Sequence, residues 1–167
     1  MRNLEVKARS RDLRKARQVA ESLPAELLAE GEQTDTYFEA PQGRMKLRES
    51  SFEEEASFIW YLREDSPEPS PSEYRISRLK KPDKLIEVLG SQFGVKVTVT
   101  KHRAIFLYGR TRINLDELEG LGGFIEFEVP AEEAEEQARR TIDKLMIAFE
   151  ISPEDLVAES YSDLLSR

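Results

Sequence analysis

The sequence contains no cysteine, so disulfide bonds and thiolate chemistry are both excluded. No apolar run is long enough to cross a membrane and no signal-peptide pattern is present, so we expect a cytoplasmic protein without membrane contact. There is a single histidine, His102, and on a strand it alternates with Lys101 and Arg103. We therefore expect His102 to face away from any site that those two residues form.

An excess of positive charge is also lacking, because 25 lysines and arginines stand against 33 acidic residues, a net charge of -8. This balance disfavours loose binding to nucleic acid or anionic membranes, and no specific nucleic-acid partner is expected. A local basic pocket is still compatible with it. Hydrophobic residues make up 39% of the chain, which is enough for a packed core and argues against disorder. We predict one domain over residues 1–167, and the oligomeric state stays open, with a homodimer as one alternative.

Short alternating segments dominate the chain and predict strands near residues 3–9, 32–40, 43–50, 56–65, 73–79, 95–109, 110–118 and 122–130. Helical spacing predicts helices near residues 10–24, with Ser10 as the cap, 80–94 and 131–150, and a short one in the tail. In the third helix the apolar positions include Ala134, Ala138 and Leu145. Many strands with interspersed helices favour an α+β fold dominated by an antiparallel sheet.

The predicted strands share an unusual distribution of charge. In Asn3 to Arg9, Glu5, Lys7 and Arg9 have one parity and the apolar residues have the other. Charged residues of one parity recur in later strands: Lys46, Arg48, Arg63, Arg75, Lys101, Arg103, Arg110, Arg112, Asp116, Glu126 and Glu128. An ordinary solvated sheet face would explain any one strand. Because the strand faces are mostly basic in a chain that is acidic overall, we favour a functional basic surface.

Such a surface suits phosphate, which arginine and lysine side chains bind. Several cations in one cavity indicate a polyphosphate, since a single phosphate would not balance them. Carboxylates among the cations indicate a divalent cation, because carboxylate oxygens are the preferred ligands of Mg²⁺ and Mn²⁺. Glu126 and Glu128, with Glu5 from the first strand, are the candidate ligands.

Four separated segments carry a family resemblance: LEVKAR, DTYFEAP with GRMKLRES, KHRAIFLYGRTRINLDELEGLGGFIEFE, and SYSDLL. In this order they resemble the CYTH superfamily, the triphosphate tunnel metalloenzymes, and within it the class IV adenylyl cyclase-like group. The resemblance implies a closed antiparallel eight-stranded β-barrel with helices packed outside. It also implies that a triphosphate binds inside the barrel together with Mg²⁺ or Mn²⁺.

Carried over by position, the resemblance implies triphosphate ligands at Lys7, Arg9, Lys46, Arg48, Arg63, Arg75, Lys101, Arg103, Arg110 and Arg112. It implies metal ligands at Glu5, Glu126, Glu128 and Asp116, and catalytic roles for Glu5, Lys7, Glu126 and Glu128. One departure concerns the family motif Glu-x-Glu-x-Lys, in which this chain has Asn3 in place of the first glutamate. That substitution puts a second metal ion in doubt. Arg63 stands where relatives often have lysine, and the charge is kept.

These expectations lead to an enzyme that acts on ATP, thiamine triphosphate or inorganic triphosphate. Attack by water would make it a triphosphatase, and attack by a ribose hydroxyl on the α-phosphate would make it an adenylyl cyclase. A binding module that holds a polyphosphate or nucleotide without turnover is the alternative, and Asn3 favours it. A purely structural barrel is the third hypothesis.

Overall fold

The computed structural model describes residues 1–131 and 135–166, and within them it has eight strands, four α-helices and one short 3₁₀ turn. The strands are β1 (Arg2–Ser10), β2 (Ala25–Phe38), β3 (Arg44–Ser50), β4 (Ala56–Arg63), β5 (Ser70–Leu79), β6 (Val95–Tyr108), β7 (Thr111–Leu118) and β8 (Gly122–Pro130). The helices are α1 (Leu13–Ser22), α2 (Asp83–Phe93), α3 (Glu135–Ala148) and α4 (Tyr161–Leu165), and the 3₁₀ turn is Pro153–Asp155. No helix among these residues is long and apolar enough to span a membrane.

The strands form a closed barrel in the order β1-β5-β4-β3-β2-β6-β7-β8, and β8 pairs with β1 to complete it. Every neighbouring pair is antiparallel. The predicted α+β fold with a closed antiparallel eight-stranded barrel is therefore confirmed. Closure leaves no free sheet edge along most of the barrel and separates an inner face from an outer face.

The outer face of the barrel carries the main hydrophobic core. Helices α1 and α3 pack on β1, β7 and β8, where Leu4, Phe127 and Ile142 are almost fully buried. A second outer cluster joins Leu89 of α2 to Leu47 of β3. Where the apolar parity of a strand packs against a helix, as in β1 and β8, the opposite parity faces the barrel interior.

Local features differ from the sequence prediction at two points. The N-cap of α1 is Asp12, whose Oδ1 accepts a 3.0 Å hydrogen bond from Lys15 N, whereas Ser10 is the last residue of β1. Strand β2 begins at Ala25, well before the predicted start. Gly43 has a φ of 70° in the β2–β3 turn, and a Cβ there would lie 2.6 Å from the Tyr61 carbonyl oxygen. Ala134, which we predicted in α3, lies outside the described residues.

Candidate active site in the barrel interior

The barrel encloses a cavity of about 540 Å³, which is within the range of about 300–1,000 Å³ that is typical of ligand sites. Strand parity aims a charged side chain into it from six of the eight strands. Of the residues predicted from the sequence, those that line the cavity are Glu5, Lys7, Lys46, Arg48, Arg63, Lys101, Arg103, Arg110, Arg112, Glu126 and Glu128. The structure thus brings most of the predicted set together in one enclosed space.

The three glutamates lie on β1 and β8, and we call Glu5, Glu126 and Glu128 the glutamate side. Glu126 Oε2 accepts a 2.9 Å hydrogen bond from Arg103, and its Oε1 lies 3.9 Å from Lys7 Nζ. Glu128 Oε1 accepts a 2.8 Å hydrogen bond from Asn114 Nδ2. Glu5 lies 4.0 Å from Arg63, and this is a long ion pair.

Charge repulsion is therefore only partly relieved on the glutamate side. Burial, together with the neighbouring carboxylates of Glu128 and Glu126, raises the pKa of Glu5 to about 7 against the opposing effect of Arg63. Burial also raises the pKa of Glu126, but the positive charges of Lys7 and Arg103 outweigh this effect and hold the pKa well below its usual value. Glu5 and Glu128 both lack a close cationic partner, because Arg63 lies 4.0 Å from Glu5 and Arg103 lies 3.9 Å from Glu128.

A divalent cation fits the glutamate side in part. Within residues 1–131 and 135–166, no group of three or more acidic or histidine side chains is gathered closely enough to hold a metal ion. Glu5, Glu126 and Glu128, the candidate ligands from the sequence, are therefore not gathered into a preformed metal site among the described residues. Mg²⁺, however, is usually held by one or two carboxylates together with phosphate oxygens of a substrate. Glu5 and Glu128 match that requirement, and a cation between them would offset the repulsion that raises the pKa of Glu5.

Two fully buried aspartates, Asp35 of β2 and Asp116 of β7, form what we call the aspartate side, which adjoins the glutamate side because Arg103 donates to both Asp116 and Glu126. Asp35 accepts hydrogen bonds from Lys46 Nζ at 2.8 Å and from two guanidinium nitrogens of Arg48 at 2.7 and 2.9 Å. Although burial raises the pKa of Asp35, Arg48 and Lys46 hold it well below the usual value. Our sequence analysis missed Asp35, although it shares the parity of Tyr37, and its register partner is Arg48.

Asp116 was predicted as a metal ligand, and the geometry does not support that role. Two guanidinium nitrogens of Arg103 donate to it at 2.6 Å each, and Tyr161 Oη donates at 2.7 Å. The side chain is fully buried and does not line the cavity. Its oxygens are occupied by these donors, so Asp116 holds Arg103 in place instead of facing a ligand.

Two buried lysines have lowered pKa values. Burial, together with Arg103, lowers the pKa of Lys101 to about 7, while Asp116 and Asp35 oppose the shift from 3.9 and 3.7 Å. Burial likewise lowers the pKa of Lys7 to about 8 against the opposing effect of Glu126. Near neutral pH, Lys101 is therefore only about half protonated and Lys7 is mostly protonated, and a negative group that comes close raises the pKa of both.

The C-terminal segment 156–165 closes one end of the barrel. Strand β5 pairs with β1 only as far as Glu5, and beyond that point Leu156 bridges to Ala8 and Val157 N donates to Lys7 O at 2.9 Å. Tyr161 then enters the interior, where its ring centroid lies 4.0 Å from Lys7 Nζ and 4.9 Å from Lys101 Nζ. The cavity therefore opens at the other end, where Met1 and the β6–β7 turn lie.

Two predicted arginines lie outside the cavity. Arg75 is exposed on the outer face of β5, beside its register partner Trp60, because the inward residues of β5 are Ser72, Tyr74 and Ile76. That prediction is corrected. Arg9 has the expected parity but lies past the closed end, where it is exposed and donates to Leu121 O at 3.3 Å. His102 is exposed and does not line the cavity, in agreement with the sequence analysis.

Comparison with known proteins agrees with this geometry. The family model described as the CYTH domain matches residues 1–161, so the chain belongs to the CYTH family, the triphosphate tunnel metalloenzymes, as its sequence motifs predicted. A comparison with curated protein sequences gives no match.

Solved structures share the fold over nearly the whole chain. A protein from Pyrococcus horikoshii has a TM-score of 0.87 at 22% identity, with 97% of this chain and 98% of that one covered. A proposed adenylate cyclase from Vibrio parahaemolyticus has a TM-score of 0.84 at 24% identity, covering 99% and 98%. A second proposed adenylate cyclase, from Bacillus halodurans, has a TM-score of 0.62 at 19% identity, covering 99% and 97%. At these identities the likeness shows the fold.

Proposed function

We propose that this CYTH-family protein binds a triphosphate inside the barrel and acts on it with the help of a divalent metal ion. The observation that carries the proposal is the convergence of eight cationic side chains and three glutamates on one cavity of about 540 Å³. The reaction is either hydrolysis of the triphosphate or cyclisation of ATP with release of pyrophosphate.

The charge balance of the cavity supports a polyanionic ligand. Five carboxylates, counting Asp35 and Asp116, face the eight cationic side chains, so three positive charges remain in excess when all of these groups are ionised. Within the part of the chain that the structure describes, the buried Arg63 Nε also has no hydrogen-bond acceptor. A buried donor without a partner is costly, and a phosphate oxygen would supply the missing acceptor.

The aspartate side gives the cations fixed directions. Arg48 and Arg103 are each held by a bidentate contact with an aspartate, so little side-chain freedom is lost when they meet a phosphate. Lys101 gains charge as the anion approaches, because a nearby negative group raises the pKa of a lysine, and Lys7 is already mostly charged near neutral pH. Together these four cations would neutralise the charge that develops on the phosphates in the transition state.

Mg²⁺ or Mn²⁺, when bound, would polarise phosphate oxygens and offset the negative charge on the leaving group. Glu5 and Glu128 are the residues that would hold it, and Glu126 could join them only by giving up its 2.9 Å contact with Arg103. Asn3 lines the same region and offers a neutral oxygen where the family motif has a carboxylate. Fewer carboxylates favour one metal ion over two.

Product analysis separates the two reactions. The protein is incubated with ATP, thiamine triphosphate or inorganic triphosphate, each with Mg²⁺ or Mn²⁺. Hydrolysis at the terminal phosphate gives orthophosphate and the diphosphate, whereas attack of the ribose 3′-hydroxyl on the α-phosphorus gives a cyclic nucleotide and pyrophosphate. The proposed adenylate cyclases among the similar structures make ATP the first substrate to test. Tight binding without any product would favour the alternative, a non-catalytic module.

Two exposed strand arginines provide a matched pair of variants for the binding site itself. Arg112 lines the cavity and Arg75 lies on the outer face. We expect Arg112→Gln to weaken triphosphate binding about tenfold, as for loss of one charge-assisted contact, and Arg75→Gln to leave it within about twofold. Calorimetry measures both. Equal losses, or no triphosphate-induced rise in melting temperature for the wild type, would contradict a binding site in the barrel.

A further inference from the structure

One sector of the cavity wall carries no charge. The inward residues of β5 are Ser72, Tyr74 and Ile76, and on the adjoining β4 they include Ile59 and Tyr61. Ile59 pairs in register with Ile76, and Tyr61 pairs in register with Tyr74, so the four side chains are direct cross-strand neighbours. We call Ile59, Tyr61, Tyr74 and Ile76 the neutral wall.

The outer part of the neutral wall lies at the open end of the barrel. Ile76 is 40% exposed, and Tyr74 N donates a 3.1 Å hydrogen bond to the carbonyl oxygen of Met1, which also lines the cavity. Among the described residues, Ile59, Tyr74 and Ile76 belong to none of the three hydrophobic core clusters. Their apolar surface is therefore turned to the cavity and not used to hold the barrel together.

The rest of the opening is charged, with Glu128 beside its register partner Arg112. Arg110 and Arg112 of the β6–β7 turn region line the same cavity, as does Leu107, which is the register partner of Arg112. A ligand that reaches the opening thus meets arginines from one part of the rim and aromatic and aliphatic side chains from the other. A purely inorganic chain of phosphates would gain from the arginines alone, because it has no apolar surface to bury.

We infer that the neutral wall binds a flat, uncharged organic group at one end of the triphosphate, with Tyr74 as the stacking residue. The substrate class is then a nucleoside triphosphate in preference to inorganic triphosphate. The inference rests on the proposed function, because it assumes that the phosphates lie among the interior cations.

Stacking on an aromatic side chain tolerates different bases, since every base presents a π face. The wall therefore predicts a preference for nucleoside triphosphates over inorganic triphosphate, with little discrimination among the bases. The half-buried ring of Tyr74 can meet a base without rearrangement of the core.

The test compares two ligands that resist hydrolysis, β,γ-imido-ATP and inorganic imidotriphosphate, each titrated calorimetrically with Mg²⁺ present. For Tyr74→Ala we expect about tenfold weaker binding of β,γ-imido-ATP and a change of less than about twofold for imidotriphosphate. Tyr74→Phe keeps the ring and should bind both ligands like the wild type. Ile76→Ser is a second variant with an exposed side chain outside the core, and we expect it to weaken only β,γ-imido-ATP.

The outcomes are distinguishable. Equal losses for both ligands in Tyr74→Ala, or no loss for either, would overturn the neutral wall as a binding surface while leaving the proposed function intact. Failure of the wild type to bind either ligand would overturn the proposed function and the inference with it. Melting temperatures of Tyr74→Ala and Ile76→Ser close to that of the wild type would show that the variants are folded.

Discussion

On the aspartate side of the cavity, Asp35 and Asp116 each accept three hydrogen bonds from buried donors at 2.9 Å or less. On the glutamate side, Glu5 has a single cation at 4.0 Å, and burial together with Glu128 and Glu126 raises its pKa to about 7. Both sets of carboxylates are carried on strands and belong to the barrel interior. They differ in how completely cations neutralise them.

The difference separates two uses of a buried carboxylate. A carboxylate whose oxygens are all taken by fixed donors organises those donors and is closed to further ligands. One that lacks a close cation is under electrostatic strain, which a bound divalent cation or a proton relieves. The aspartates thus organise the phosphate-binding cations, and Glu5 and Glu128 remain open to a metal.

The largest effect on stability should come from removing a carboxylate from the aspartate side. Asp35→Asn leaves Lys46, Arg48 and Lys101 without their carboxylate, and we expect a loss of about 3–5 kcal/mol in the free energy of unfolding, as for an uncompensated buried charge. Glu128→Gln on the glutamate side is the control, and it should cost less than about 1 kcal/mol because it removes repulsion with Glu5. Urea unfolding without divalent metal measures both, and equal losses would erase the distinction between the sides.

We expect Glu5 to have an intermediate effect, which is a dependence of the folding stability on pH. Its pKa in the folded protein is about 7 against a usual 4.5, so the folded state binds the proton more tightly and is favoured at low pH. This stabilisation is complete below pH 4.5 and is lost as the pH rises to about 7, a loss of about 3 kcal/mol. Glu5→Gln should remove that decline between pH 5 and 7. Unfolding curves measured in EDTA at several pH values test this, and parallel pH profiles for wild type and variant would refute it.

The smallest effect should come from adding a carboxylate to the glutamate side. Asn3 shares the inward face of β1 with Glu5, and we expect Asn3→Glu to lower the melting temperature without metal and to raise Mn²⁺ affinity about tenfold, because affinity follows ligand charge. Asn3→Gln keeps the side chain neutral and should change neither property. Mn²⁺ binding followed by electron paramagnetic resonance provides the measurement. A similar affinity in both variants would show that residue 3 lies out of reach of the metal.

The alternation of charged and apolar residues predicted most of the site, because successive side chains of a strand point to opposite faces of the sheet. In β1 the apolar parity packs on helices, which leaves Glu5 and Lys7 for the interior, as expected. Alternation does not say which parity faces inward when both have apolar members. In β5, Tyr74 and Ile76 face the cavity and Arg75 does not, and for that reason the prediction for Arg75 was wrong.

Other features of the site could not be predicted without knowing the pairing register and the length of the strands. Asp35 is the only charged residue in its parity group from Gln33 to Tyr37, and its importance follows from pairing with Arg48 on the neighbouring strand. Arg9 has the right parity but lies beyond the cavity, because β1 continues past the closed end. The closed barrel was implied by family resemblance, since alternation alone is compatible with an open sheet.

The position of β1 in the barrel has a consequence for folding. This strand comes first in the chain, yet it pairs with β8 along nearly its whole length, from Asn3 with Pro130 to Ser10 with Gly123. Such distant pairing is slow to form, because a loop of more than a hundred residues must first be closed. Glu5 meets Glu128 only at that moment, so we expect the electrostatic cost of gathering like charges to arise late, after most of the barrel wall is already in place.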